Sequence, residues 1–322
     1  MLYKSSMIPI HDDDAPRTED VARRYQGLDT WPTLDILEAL WSSQSRATAA
    51  CVSALPALQR AVDGAVQRLA NGAGRLVYAG AGSAGMIAAL DATELPPTFN
   101  WPASRLVVLV AGGLDFQHGQ DQSAEDDAAG GRARAVDSGL GPSDVVLGVS
   151  ASGGSPYTVA IAEEARARGA LTIAITSRPG SPLMRAAEHA IAVPTGAEVI
   201  AGSTRLAAGT AQKLLLNMFS TAVMVGLGAV YDNLMIDMRP DNAKLRQRQT
   251  AIVVSIAKVD PALAADALAR HGDVKRAVLG LAGMSTDEIE AALASAGGNL
   301  RTALSRSSSA RGPGRGEAQS EP

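Results

Sequence analysis

Residues 144–156 read DVVLGVSASGGSP. Val145, Val146, Leu147 and Val149 form a near-continuous apolar run, the pattern of a strand buried on both faces. Ser150, Ser152, Gly153, Gly154 and Ser155 follow it, and helix-forming text begins directly after. Hydroxyls and bare backbone amides at a strand end, just ahead of a helix N-terminus, form a cradle for an anion.

The same rhythm extends in both directions. RLVYAG (75–80) and RLVVLVAGG (105–113) lie upstream, LTIAITS (171–177) and AIAVPTG (190–196) downstream. Helical stretches such as TVAIAEEARARGA (158–170) separate them. Five apolar strands alternating with helices predict an α/β fold: a doubly wound parallel five-stranded sheet with flanking helices, binding ligands at the carboxyl ends of its strands. Residues 33–51 and 54–72 read as two preceding helices, the second stopping at Asn71-Gly72. A long apolar helix is expected over 202–228. The organisation that follows is a flexible arm over 1–30, an α/β domain over 31–238, a small C-terminal helical module over 239–305 and a disordered tail over 306–322.

Composition narrows the function. Lys and Arg number 29 against 33 Asp and Glu, and no basic stripe occurs, which argues against nucleic-acid binding by phosphate neutralisation. Cys51 is the lone cysteine, so a disulfide framework and a Cys-based metal cluster are excluded. The four histidines, His118 and His189 among them, lack ligand spacing, and no metal is expected. No signal peptide and no membrane-length apolar run is legible, so a cytoplasmic protein is expected.

A second glycine loop follows the first strand. Gly80–Gly85, GAGSAG, fits the dinucleotide pattern G-x-G-x-x-G. That pattern also wants an acid about 20 residues on, at the end of the next strand. NWPASRLVV (100–108) has none, and the first acid after that strand is Asp115, beyond a Gly-Gly turn. Two small-residue loops after neighbouring strands suit one compact phosphate ester better. No Ser-His-Asp arrangement or G-x-S-x-G turn offers a rival chemistry.

Two acidic sites stand out. In DATELPPTF (91–99), Pro96 and Pro97 are expected to stop the helix and to hold Glu94 on a stiff turn, partly desolvated and defined in aim. In DQSAEDDAAGG (121–131), Glu125 lies in an acidic helix start with Asp121 or Ser123 as cap.

The strings SASGGSPY, LDATELPPTF, SAEDD, GSTRLAAGTAQKLLLNMFST and YDNLMIDM together resemble the N-acetylmuramic acid 6-phosphate etherase family. SASGGSPY is similar to the phosphate loop of the sugar isomerase (SIS) fold, and residues 273–304 resemble that family's small C-terminal module. The resemblance implies a cofactor-free carbon–oxygen lyase of cell-wall sugar recycling. Such an enzyme removes the lactyl ether at C3 of its sugar phosphate and releases N-acetylglucosamine 6-phosphate and D-lactate. It implies a homodimer with sites near the subunit interface, and Glu94 and Glu125 as catalytic acids. Ring opening acidifies C2, and elimination then needs a base at C2 and an acid at the departing oxygen, roles two carboxylates can divide. Glu94 is assigned the acid and Glu125 the base; the reverse is physically open. Ser83, Ser152, Gly153 and Ser155 are the expected phosphate ligands, and Ser203, Thr204 and Arg205 are expected to meet the sugar or the partner subunit. Lys213 and Asn217, one turn apart, suit either the site or internal pairing.

The chain also departs from the family pattern. Ala84, Met86, Gly154 and Ala207 stand where the family has polar or cationic residues, and Thr18-Glu19 lacks the string that usually follows. Two rival readings follow from the resemblance: a non-catalytic sugar-phosphate sensor like the related glucokinase regulator, and a phosphosugar isomerase.

Overall fold

The computed structural model describes residues 18–70, 72–114 and 121–310. The sequence expectations for residues 1–17, Asn71, Asp115, His118 and 311–322 lie outside the described residues. The chain divides into two compact units: one of residues 1–61, 77–89 and 108–216, the other of 62–76, 90–107 and 217–322.

The first helices are α1 (Thr33–Ala50) and α2 (Leu55–Leu69). Five strands follow: β1 (Leu76–Gly80), β2 (Leu106–Val110), β3 (Val145–Val149), β4 (Leu171–Thr176) and β5 (His189–Ala192), in the order β2-β1-β3-β4-β5. β3 pairs with β4 from Val145↔Leu171 to Val149↔Ile175, and β4 with β5 from Ile173↔His189 to Thr176↔Ala192, both parallel. Every residue of β1, β3 and β4 is buried, whereas β2 and β5, at the edges, are only partly so. This is why the central strands read as unbroken apolar runs: each faces helices on both sides. Burying each Val, Leu or Ile there contributes about 1.5–3 kcal/mol. The expected strands over 105–113, 144–154 and 190–196 end earlier, at Val110, Val149 and Ala192, because Gly- and Ser-rich loops follow the first two and Pro194, which has no amide to donate, follows the third.

Helices α3 (Gly82–Phe99), α4 (Ala128–Asp137), α5 (Pro156–Ala167) and α6 (Pro182–Ala186) connect the strands. α4 and α5 approach closely because Gly131 lacks a side chain; a Cβ there would stand 2.4 Å from the Tyr157 carbonyl oxygen. β1 has β2 on one side and β3 on the other. The strand order therefore reverses between β1 and β3, the switch point at which open α/β sheets place their ligands.

α7 (Ala207–Gly226) starts later than the expected Gly202. Gly202 adopts φ +74°, which breaks the helix before that point. A hairpin unforeseen in the sequence follows: β6 (Val230–Tyr231) and β7 (Leu234–Met235) pair antiparallel across a two-residue turn whose first residue, Asp232, has φ 51°.

In the second unit, helices α8 (Ala243–Ala257), α9 (Pro261–His271), α10 (Val274–Leu281), α11 (Thr286–Ser295) and α12 (Leu300–Ala310) follow. α12 runs past residue 305, where the helical module was expected to end. Their core holds Ile252, Val253, Val274, Leu279, Ile289 and Leu300. Asn242, Asp260, Asp273 and Ser285 each accept a helix N-terminal amide, and Ser285 forms a reciprocal capping box with Glu288. No helix among the described residues is long and apolar enough to cross a membrane.

Candidate active site

Two glycines shape the loop after β1. A Cβ on Gly80 would stand 2.7 Å from the Gly85 Cα, and one on Gly85 would stand 2.9 Å from the Gly80 carbonyl carbon. The G-x-G-x-x-G spacing thus lets the helix start pack onto the strand end, a purely steric need. Gly82 takes φ +51°, and Ser83 lies half-buried in the first turn of α3.

The loop after β3 is folded on itself. The Gly153 N–H donates to the Ser150 carbonyl (3.2 Å) and hydroxyl (3.1 Å), and the Gly154 N–H donates to the Ser152 hydroxyl (3.1 Å). Ser155 caps α5: its hydroxyl accepts from the Thr158 N–H at 3.5 Å and lies 3.1 Å from the Thr158 hydroxyl. Ser150 and Ser155 are buried, Ser152 half-buried and Gly154 exposed.

Glu125 connects the two loops. It sits in a 3-10 turn (Gln122–Asp126) whose cap is Asp121, which accepts from the Ser123 N–H (2.9 Å) and hydroxyl (2.6 Å). Asp127 caps α4 by accepting from the Gly130 N–H at 2.8 Å. Of the consecutive acids 125–127, Glu125 is the half-buried one and the other two are exposed. A carboxylate oxygen of Glu125 lies 4.0 Å from where a Gly82 Cβ would be, and the Ser155 hydroxyl is near enough to favour the ionised carboxylate. Burial pushes its proton affinity above the ordinary carboxylate range, the Asp126 charge adds to this, and the nearby Ser155 hydroxyl opposes it. The structure thereby brings Glu125 next to Gly82, in the loop after β1, and next to Ser155, in the loop after β3.

The other expected acid is placed differently. α3 does not stop at the prolines; both lie inside it, and it runs on to Phe99. They fall in its final turn, where their fixed φ is itself helical; each gives up the amide bond to the carbonyl four residues back, and the helix ends within three residues of them. The end comes at Asn100, with φ 53°, after which the Trp101 N–H reaches back to the Leu95 carbonyl at 3.4 Å. Glu94 is exposed rather than partly desolvated. Asp91, one turn earlier, is the buried acid of this stretch, and it accepts from Asn217 Nδ2 (2.6 Å) and the Ser220 hydroxyl (3.3 Å). Asn217 is therefore engaged in internal pairing.

Ser203 and Thr204 lie half-buried in the turn before α7, closed by the Ser203 N–H to the Ile200 carbonyl (3.0 Å) and the Leu206 N–H to the Ser203 carbonyl (3.1 Å). Neither caps α7. That role falls to Glu198, which the sequence reading passed over: its two oxygens accept from the Ala207 and Ala208 amides at 2.9 Å each. The signal was an acid nine residues ahead of a helix, too distant for any local capping pattern. Thr18 is buried, its carbonyl accepts from the Gly202 N–H at 3.0 Å, and the Glu19 carboxylate lies over Gly202. Among the described residues no group of three or more His, Cys, Asp or Glu is placed to hold a metal ion.

Comparison with known proteins follows the same lines. The SIS domain family model matches residues 111–222. The N-acetylmuramic acid 6-phosphate etherase of Deinococcus radiodurans is 44% identical over 293 residues, 90% of this chain and 96% of the relative. That of Streptomyces coelicolor is 44% identical over 279 residues, 86% of this chain and 89% of the relative. Among solved structures, a putative phosphosugar isomerase from Bacteroides fragilis aligns with a TM-score of 0.46 at 22% identity, over 62% of this chain and 94% of that one.

Proposed function

The chain belongs to the N-acetylmuramic acid 6-phosphate etherase family, and from that premise we propose how its residues divide the reaction. The activity is that of a carbon–oxygen lyase of cell-wall sugar recycling, which converts N-acetylmuramic acid 6-phosphate to N-acetylglucosamine 6-phosphate and D-lactate.

In the ring-opened sugar, Glu125 takes the C2 proton. The C3–O bond breaks, and Glu94 protonates the departing oxygen to give D-lactate. Water then adds across the resulting double bond: Glu94 deprotonates it as its oxygen joins C3, and the proton on Glu125 returns to C2. The observation that carries this reading is the half-buried Glu125 carboxylate beside Gly82 and Ser155, with its proton affinity raised by burial. A base of raised affinity has more driving force to take a weakly acidic C–H proton. The loops it joins would hold the phosphate through Ser83, Ser152, Gly153 and Ser155, with Ser203 and Thr204 facing the sugar or a second subunit.

The protein works in the cytoplasm as a homodimer on this reading. α1 supports the dimer: Leu34, Leu37 and Trp41 recur on one helical face and are 65%, 56% and 76% exposed. An exposed apolar stripe of this size marks an interaction surface.

The test is release of D-lactate from N-acetylmuramic acid 6-phosphate by the purified chain, with Glu125→Gln and Glu94→Ala alongside. Loss of release in folded variants is expected. Full turnover in either variant would remove that residue from the mechanism. Exchange at C2 without lactate would point to an isomerase, and saturable binding without product to a sensor.

A further inference from the structure

An anionic phosphate group calls for a cation, and the loops after the strands carry few. Residues 81–86, 111–114 and 150–156, after β1, β2 and β3, contain no Lys or Arg. Residues 177–181, after β4, contain Arg178, and residues 193–206, after β5, contain Arg205. Arg205 is likewise exposed, in the turn before α7 where the Glu19 carboxylate lies over Gly202 and Glu198 caps the helix. Arg178 is exposed, and among the described residues no carboxylate forms an ion pair with it.

The loop that carries Arg178 is laced to the Ser150–Ser155 turn. The Ser177 N–H donates to the Ala151 carbonyl at 2.9 Å, and the Leu183 N–H donates to the Gly153 carbonyl at 3.0 Å. The Thr176 hydroxyl donates to the Ala151 carbonyl at 3.1 Å and accepts from the Arg178 N–H at 3.1 Å. That hydroxyl also lies 2.7 Å from where a Gly153 Cβ would be, so the Arg178 backbone begins one hydrogen bond from the floor of the turn. Arg185 braces the same loop by donating to the Gly180 carbonyl.

Ser181 supplies an independent sign of a ligand. It is 2% exposed, its hydroxyl has no hydrogen-bond partner among the described residues, and it abuts Gly153, 2.2 Å from the Cβ position. Buried hydroxyls are normally partnered. An oxyanion drawing the Gly153 amide outward would reorganise the turn and give this hydroxyl an acceptor.

We propose that Arg178 is the cation that engages the phosphate group of the ligand, closing over the Ser150–Ser155 turn from the β4 side. This rests on the reading that the sugar phosphate sits at that turn. The guanidinium fork matches two phosphate oxygens, and the loop's tethers fix where its side chain starts. Phosphate affinity thus comes from the loop after β4 as well as from the serine turn.

The experiment is calorimetry on the full chain with N-acetylglucosamine 6-phosphate and with unphosphorylated N-acetylglucosamine, for wild type, Arg178→Gln and Arg178→Lys. Melting curves confirm the fold of each. The expected result is that Arg178→Gln cuts the affinity for the phosphorylated sugar at least tenfold and leaves that for the unphosphorylated sugar unchanged. Arg178→Lys, a charge without the fork, is expected to fall between. An unchanged preference for the phosphorylated sugar in Arg178→Gln overturns the assignment while the functional reading stands. A wild type indifferent to the phosphate overturns the placement of the phosphate at the turn, and the proposal with it.

Discussion

Glu198→Ala tests whether α7 is held by a carboxylate distant in sequence. Glu198 is 1% exposed and accepts from the buried amides of Ala207 and Ala208 at 2.9 Å each. Truncation leaves two buried donors without an acceptor, at about 1–3 kcal/mol each. Part of this is offset, because burying the carboxylate is itself unfavourable, as its raised proton affinity records. The net expectation is a loss of about 2–4 kcal/mol, or roughly 5–10 °C in melting temperature. Glu198→Gln keeps one acceptor oxygen and is expected to lose less.

The pH dependence gives a second readout. Burial and the nearby Glu19 charge raise the Glu198 proton affinity, and the two amide bonds oppose this. The folded chain therefore holds the proton to higher pH than the unfolded chain, whose ordinary value is 4.5. The stability this adds is fully present below that value and is lost as pH rises through the folded one. Thermal melts at pH 5 and pH 8 should show a larger gap between wild type and Glu198→Gln at pH 5. A Glu198→Ala protein that melts with the wild type at both pH values would refute the reasoning.

Other changes probe the site and its surroundings. If Glu125 is the base, the acid limb of the kcat/KM profile should lie above the ordinary carboxylate range, because burial is the largest influence on it; a limb at the ordinary value would count against that role. Gly153→Ala places a Cβ 2.2 Å from the Ser181 hydroxyl at φ +63°, so sugar-phosphate affinity measured by calorimetry should fall more than about tenfold. Gly154→Ala meets only the Ser152 hydroxyl, at 3.5 Å, and should be nearly neutral; equal effects of the two would contradict the geometry of the turn. Trp41→Glu puts a charge into the exposed stripe of α1 and should convert a dimer to a monomer in light scattering, whereas an unchanged mass would move the interface elsewhere.

The sheet was legible because β1, β3 and β4 are buried on both faces, and two-sided burial writes itself as an unbroken apolar run. The paired helices before β1 and the helices after Asp241 were legible from apolar spacing and polar caps, signals that act over three or four residues. The hairpin of β6 and β7 was not, since two-residue strands are too short to show alternation. The prolines misled because a fixed φ near about −65° is itself helical, so α3 accommodates both and ends only at Phe99, before Asn100 turns to φ 53°.

The division among the acids follows the same logic. The sequence alone marked Glu94 and Glu125 as carboxylates in suggestive company, passed over Asp91, and could not rank the burial of any of them. Asp91 is buried because Asn217 and Ser220, more than a hundred residues on, supply its partners. Glu125 is half-buried because the loops after β1 and β3 meet beside it, and Glu198 caps α7 across a turn closed by Gly202. Local pattern determined the strands, most of the helices and the two glycine-rich loops, since those preferences are fixed by neighbours along the chain. Tertiary structure decided which carboxylates are desolvated and which backbone amides they meet, because solvation depends on what packs beside a residue in space.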